Sequence, residues 1–191
     1  MSILKCKKCE FVTILTQPSG KQKNYGSVIM NNRNKIYATA LAALTAALYV
    51  ILTVLSAAFG LSGGAVQVRL SEALCILPVF TPAAIPGLFV GCLLSNLLTG
   101  CAVWDIIFGS LATLAGALGT YYIGKKHPTL GILPPIIANT AVVPLLLSFV
   151  YSAEGALWFF FVTVFAGELV SCGILGTVLR KTLEKSGVFK R

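Results

Sequence analysis

Few residues in this chain can do chemistry, and most of them lie inside apolar runs. Glu168 stands near the middle of the last run, about twelve residues from either end, with no Lys or Arg near it in that run. A carboxylate at such depth must be protonated, paired across helices or facing a polar ligand. Asn139 is similarly deep and fits either a helix-bridging bond or a ligand contact. Arg69 and Glu72 are three residues apart, within side-chain reach on a helix. They read either as a salt bridge with Ser71 as N-cap or as a ligand-facing pair. Asn96 and Trp104-Asp105 flank a loop at 99–104, with Asp105 expected to cap the helix that follows. Trp104 and Trp158 suit interfacial anchoring or stacking on a flat ligand.

These types point to recognition of a polar ligand and away from catalysis. The stretch from Gly119 to Lys125 has GxxxxGK spacing, but Lys126 stands where Ser or Thr would hold magnesium, and the stretch ends an apolar run. His127 is the single histidine and sits beside Lys125 and Lys126, so no nucleophile–His–acid set exists. Cys6-Lys7-Lys8-Cys9 is a lone CxxC without a second ligand pair for zinc. The other four cysteines, Cys75, Cys92, Cys101 and Cys172, are scattered through apolar runs and read as small hydrophobes. The expectation is a protein that is not an enzyme, with no cofactor and no metal. Any energy input would come from a partner or an ion gradient.

The elements that carry these residues belong in a bilayer. Of 191 residues, 57% are apolar and 11% charged, against roughly 25% charge in soluble domains. The net charge is +9, and twelve of the fifteen Lys and Arg lie in residues 1–35 or 180–191. Basic ends around an apolar body indicate membrane topology, and no basic stripe interleaved with aromatics suggests nucleic acid. Residues 36–59, 104–123, 130–150 and 156–179 each read as a spanning helix, with Pro134, Pro135 and Pro144 expected to kink the third. Residues 72–98, broken by Pro78, Pro82 and Pro86, are too short for two full crossings. The positive-inside rule places both termini and the Lys125-Lys126 loop in the cytoplasm. Parity then requires 72–98 to begin and end outside, as two short helices or a re-entrant pair broken near Thr81-Pro82. The expected fold class is an all-α integral membrane protein with six segments and both termini cytoplasmic.

Residues 1–29 are polar, carry no spanning run and read as a flexible extension ahead of a single membrane domain at 30–191, with Met30 as an alternative start. On the first span, Ala38, Ala42 and Ala46 recur every four residues, as do Thr39, Ala43 and Ala47. Small faces allow close helix approach. The first stripe is assigned to a partner protein, and Gly87-Leu88-Phe89-Val90-Gly91 to internal packing.

Several longer runs resemble the QueT family. They are Val68-Arg69-Leu70-Ser71-Glu72-Ala73-Leu74 with Leu77-Pro78, Pro86 through Cys92, and Asp105 through Leu114. The resemblance covers residues 36–181. It implies an S-component-like helical bundle in a bacterial plasma membrane, the substrate-binding component of an ATP-driven energy-coupling-factor importer. It further implies a transmembrane coupling protein and two cytoplasmic ATPases as partners, with Ala38, Ala42 and Ala46 as the docking face. The implied substrate is a queuosine precursor, a 7-deazaguanine base or queuine. Such a base offers an N–H and an amino group to a carboxylate, a carbonyl to Arg or Asn, and a flat face to an aromatic ring. Arg69, Glu72, Asn96, Trp104, Asn139, Trp158 and Glu168 supply those types. The alternative is a stand-alone secondary transporter of a small polar metabolite with Glu168 as proton site, against which stands the lack of inverted repeats.

Overall fold

The computed structural model describes residues 20–61, 68–151 and 156–187. The helices are α1 (Gly20–Ala58), α2 (Ala84–Leu98), α3 (Val103–Gly124), α4 (Leu133–Phe149), α5 (Leu157–Glu168) and α6 (Gly176–Ser186). A 3₁₀ helix covers Leu70–Val79 and a shorter one Pro128–Ile132. A π-helical stretch, Leu169–Leu175, joins α5 to α6. Among the described residues there is no strand. Residues 1–19 of the expected extension lie outside the described residues, and α1 is already helical from Gly20, upstream of Met30.

Four helical segments are long and apolar enough to cross a membrane: Lys35–Ala58, Val103–Gly124, Pro128–Phe149 and Leu157–Ser186. They match the four spans read from the sequence. The six-segment expectation is met only to this extent, because the Leu70–Val79 and Ala84–Leu98 helices are short. At about 2 Å per residue for a 3₁₀ helix and 1.5 Å for an α-helix, they reach about 20 and 22 Å. The break between them falls at residues 80–83, around Thr81-Pro82.

Lipid-facing and protein-facing sides are inverted relative to a soluble bundle. On α1 the exposed side carries Leu44, Leu48, Ile51, Val54 and Leu55, whereas Thr45, Ala46, Tyr49, Thr53 and Ser56 are buried. Two hydroxyls on that buried stripe close onto their own helix: Thr45 donates to the Leu41 carbonyl at 2.8 Å, and Ser56 to that of Leu52 at 2.8 Å. Backbone groups in lipid must be satisfied internally, so helices are the available form. Positive φ at Gly60 and Gly100 lets the chain leave α1 and α2 in the left-handed region.

The small-residue motifs meet each other. A Cβ on Gly87 would stand 2.5 Å from the Ala42 carbonyl oxygen, and one on Gly91 would stand 2.8 Å from Tyr49 Cβ and 3.1 Å from Ala46 Cα. Internal packing of the GxxxG run is therefore observed. The same contact corrects the assignment of Ala42 and Ala46 to a partner. Ala46 is 9% exposed and, with the Ala42 backbone, faces α2. Ala38 is half-buried, and it is Ala43 and Ala47 that are exposed. Pro134 and Pro135 sit in the first turn of α4, where an N–H is not needed, immediately after the span changes from 3₁₀ to α-helical winding; Pro144 lies inside the helix.

Candidate functional site

Two spaces adjoin in the bundle, one among the ends of α1, α2, α3 and α4, the other between the 3₁₀ helix, α3, α4 and α5. The larger is a cavity of about 420 Å³ whose polar wall holds Arg69, Asn96, Thr99, Asp105 and Tyr151, with Val143, Leu146 and Leu147 among its apolar lining. That volume is in the range of small-molecule sites. The smaller is a cleft of about 10 Å³ lined by Arg69, Glu72, Thr113, Asn139, Val143 and Glu168. Arg69 and Val143 belong to both. Five of the seven expected ligand residues, Arg69, Glu72, Asn96, Asn139 and Glu168, thus converge on one region from four elements and the junction before the 3₁₀ helix.

α1 holds the 3₁₀ helix in place. The Leu70 N–H donates to Ser56 Oγ at 3.0 Å, and the Thr53 and Ser71 hydroxyls pair at 2.8 Å. Tyr49 donates its hydroxyl to Glu72 Oε1 at 2.5 Å, and the Cys75 thiol donates to Glu72 Oε2 at 3.1 Å. Both expectations for the Arg69–Glu72 pair as a capped salt bridge fail. The only salt bridge among the described residues is Arg180–Glu184, and Ser71 lies within the helix that Arg69 precedes. Arg69 is left facing the two spaces.

Asn139 donates from Nδ2 to Glu168 Oε1 at 3.1 Å, bridging α4 and α5. Glu168 Oε2 is buried with no hydrogen-bond partner among the described residues. The π-helical stretch begins at the next residue, and π-helical turns within α-helices frequently mark functional sites. Asn96 donates to the Asp105 carbonyl at 3.4 Å. Asp105 is 5% exposed and in the first turn of α3; its cap position is occupied by Ala102. Its side chain instead accepts the Tyr151 hydroxyl at 3.0 Å, and Tyr151 oxygen accepts the Ala102 N–H at 3.0 Å.

Trp104 and Trp158 do not reach either space. They are 58% and 69% exposed; Trp104 stacks on Phe108 at 6.0 Å, and Trp158 makes an edge contact with Phe159 at 6.4 Å. The aromatic ring at the cavity is Tyr151, and the ring beneath Glu72 is Tyr49. Sequence reasoning missed both. The polar stripe Thr45-Tyr49-Thr53-Ser56 at helical spacing was the available sign for Tyr49. Among the described residues no group of three or more His, Cys, Asp or Glu is placed to hold a metal ion.

Burial, countered by the Ala102 N–H and reinforced by the Asp105 carboxylate, pushes the Tyr151 hydroxyl up to about 12. A raised value favours the protonated donor in the folded state. Its contribution is fully present below the ordinary value of 10.0 and is lost as pH rises through about 12. The gap in unfolding temperature between wild type and Tyr151→Phe should stay constant up to about pH 9 and narrow above about pH 10. A gap that narrows between about pH 6 and about pH 8 would contradict this.

The four long apolar helices and the buried polar region define a multi-pass membrane protein with a cavity walled by polar side chains. A family model described as QueT transporter matches residues 39–185. The chain belongs to that family. It is also 39% identical over 82 residues to a Lactococcus lactis subsp. cremoris (strain MG1363) protein named "Queuosine precursor transporter QueT". That match covers 43% of this chain and 48% of the relative, so it spans about half the relative's length. No solved structure matches the chain.

Proposed function

We propose that this chain is the membrane substrate-binding component of an energy-coupling-factor importer, and that it captures a queuosine precursor in the larger cavity. The observation that carries this reading is the wall of that cavity. Asp105, Arg69, Asn96 and Tyr151 offer a carboxylate, a guanidinium, an amide and an aromatic ring around one space. A 7-deazaguanine presents the complementary set: adjacent N–H and amino donors for the carboxylate, a carbonyl for Arg69 and a flat face for Tyr151. The cavity lies at the end of the bundle opposite Lys125 and Lys126, and the positive-inside rule makes that end external. The test is titration of 7-cyano-7-deazaguanine, 7-aminomethyl-7-deazaguanine and queuine into the purified protein. Saturable binding of at least one is expected. Binding of none would end the reading.

The reading also proposes docking to a transmembrane coupling protein served by two cytoplasmic ATPases. Because Ala46 and the Ala42 backbone face α2, the exposed small stripe of α1 at four-residue spacing is that of Thr39, Ala43 and Ala47. Leu side chains there hold a second helix away while remaining compatible with lipid. Ala43→Leu with Ala47→Leu should abolish uptake in cells carrying the ATPases and leave ligand binding by the purified protein intact. Normal uptake at normal expression would favour a stand-alone transporter.

A further inference from the structure

The smaller cleft remains once a ring is placed in the larger cavity. Its wall carries two carboxylates, Glu72 and Glu168, against one guanidinium, Arg69. The two carboxylates are not equivalent. Both Glu72 oxygens have donors, from Tyr49 and Cys75. Glu168 is 7% exposed; Asn139 serves its Oε1, and its Oε2 has no partner among the described residues. A buried carboxylate oxygen without a donor is costly. At about 10 Å³ the cleft admits a group about as large as one water molecule. Cleft and cavity share Arg69 and Val143 in their walls, so the two spaces adjoin at these side chains.

The geometry points to the cleft as a subsite for a primary ammonium group carried by the ligand, with Glu168 Oε2 as its acceptor. This rests on the reading of the larger cavity given above, and it deepens that reading to a preference for aminomethyl-bearing 7-deazaguanines. An ammonium group supplies the missing donor and brings a positive charge to a wall that holds two carboxyl groups. A water molecule supplies only the donor. A nitrile presents an acceptor to a wall that already has two carboxylates, and its discrimination arises from that mismatch.

The experiment compares dissociation constants of 7-aminomethyl-7-deazaguanine and 7-cyano-7-deazaguanine for the full chain in detergent, in wild type and in Glu168→Gln. Wild type should prefer the aminomethyl base by about tenfold or more, the scale of one charge-assisted hydrogen bond. In Glu168→Gln the ratio of the two constants should fall towards one. Equal affinities in wild type, a preference for the nitrile, or an unchanged ratio in the variant would each overturn the subsite. The wild-type comparison decides the matter even if the variant does not fold. Binding of queuine but of neither of these bases also overturns the subsite; binding of none of the three overturns the reading of the larger cavity instead.

Discussion

Gly91→Val should lower the stability of the detergent-solubilised protein by about 3 kcal/mol, at the upper end of the usual cost of overpacking. The reason is the absence of space. Even a Cβ at this position would stand 2.8 Å from Tyr49 Cβ and 3.1 Å from the Ala46 backbone, so α1 itself must move. In lipid, close backbone approach and dispersion hold helices together, and no hydrophobic drive compensates for their separation. The loss reaches the proposed ligand site because Tyr49 sits at that contact and donates to Glu72. Ligand affinity should therefore fall with the unfolding temperature. Gly173→Ala is the control, since a Cβ there meets only Leu169 Cδ2 at 3.9 Å. Thermal unfolding of both variants checks the prediction; a Gly91→Val protein as stable as wild type would refute the packing account.

Arg69→Gln should weaken ligand binding about 100-fold. Arg69 is the cationic side chain lining both spaces, and its removal leaves Glu72 and Glu168 facing one cleft without a guanidinium. Losing a charge-assisted hydrogen bond to the ligand carbonyl costs about 1.5–3 kcal/mol, and at about 1.4 kcal/mol per factor of ten the upper figure is about 100-fold. Calorimetric titration of the variant, with an unfolding scan to confirm that it is folded, measures the loss. A dissociation constant within about threefold of wild type would remove Arg69 from the site.

The helices were legible because the bilayer imposes them: an uncharged run of span length has no other way to satisfy its backbone. The polar residues deep in such runs were legible for a related reason, since the cost of placing Glu168 or Asn139 in hydrocarbon demands a partner. Rotational position was not legible. Ala38-Ala42-Ala46 and Thr39-Ala43-Ala47 have the same period and differ by one residue, or 100° around the helix. Only the contact with Gly87 and Gly91 shows which stripe turns inward. Trp104 and Trp158 sit near the right ends of their helices, but their rings point outward. Asp105 looked like an N-cap because of its place before an apolar run, yet the chain enters α3 three residues earlier. Tyr151 follows the end of α4 and reaches Asp105 across 46 positions of sequence, a contact that no local pattern announces.

The central claim is that a 7-deazaguanine base occupies the cavity between Arg69, Asn96, Asp105 and Tyr151. The most direct measurement is a structure of the purified protein determined with the tightest-binding base present. The account predicts the ring against Tyr151, its carbonyl edge at Arg69 and its donor edge at Asp105. A base found outside this cavity, against Trp104 or Trp158, would contradict it.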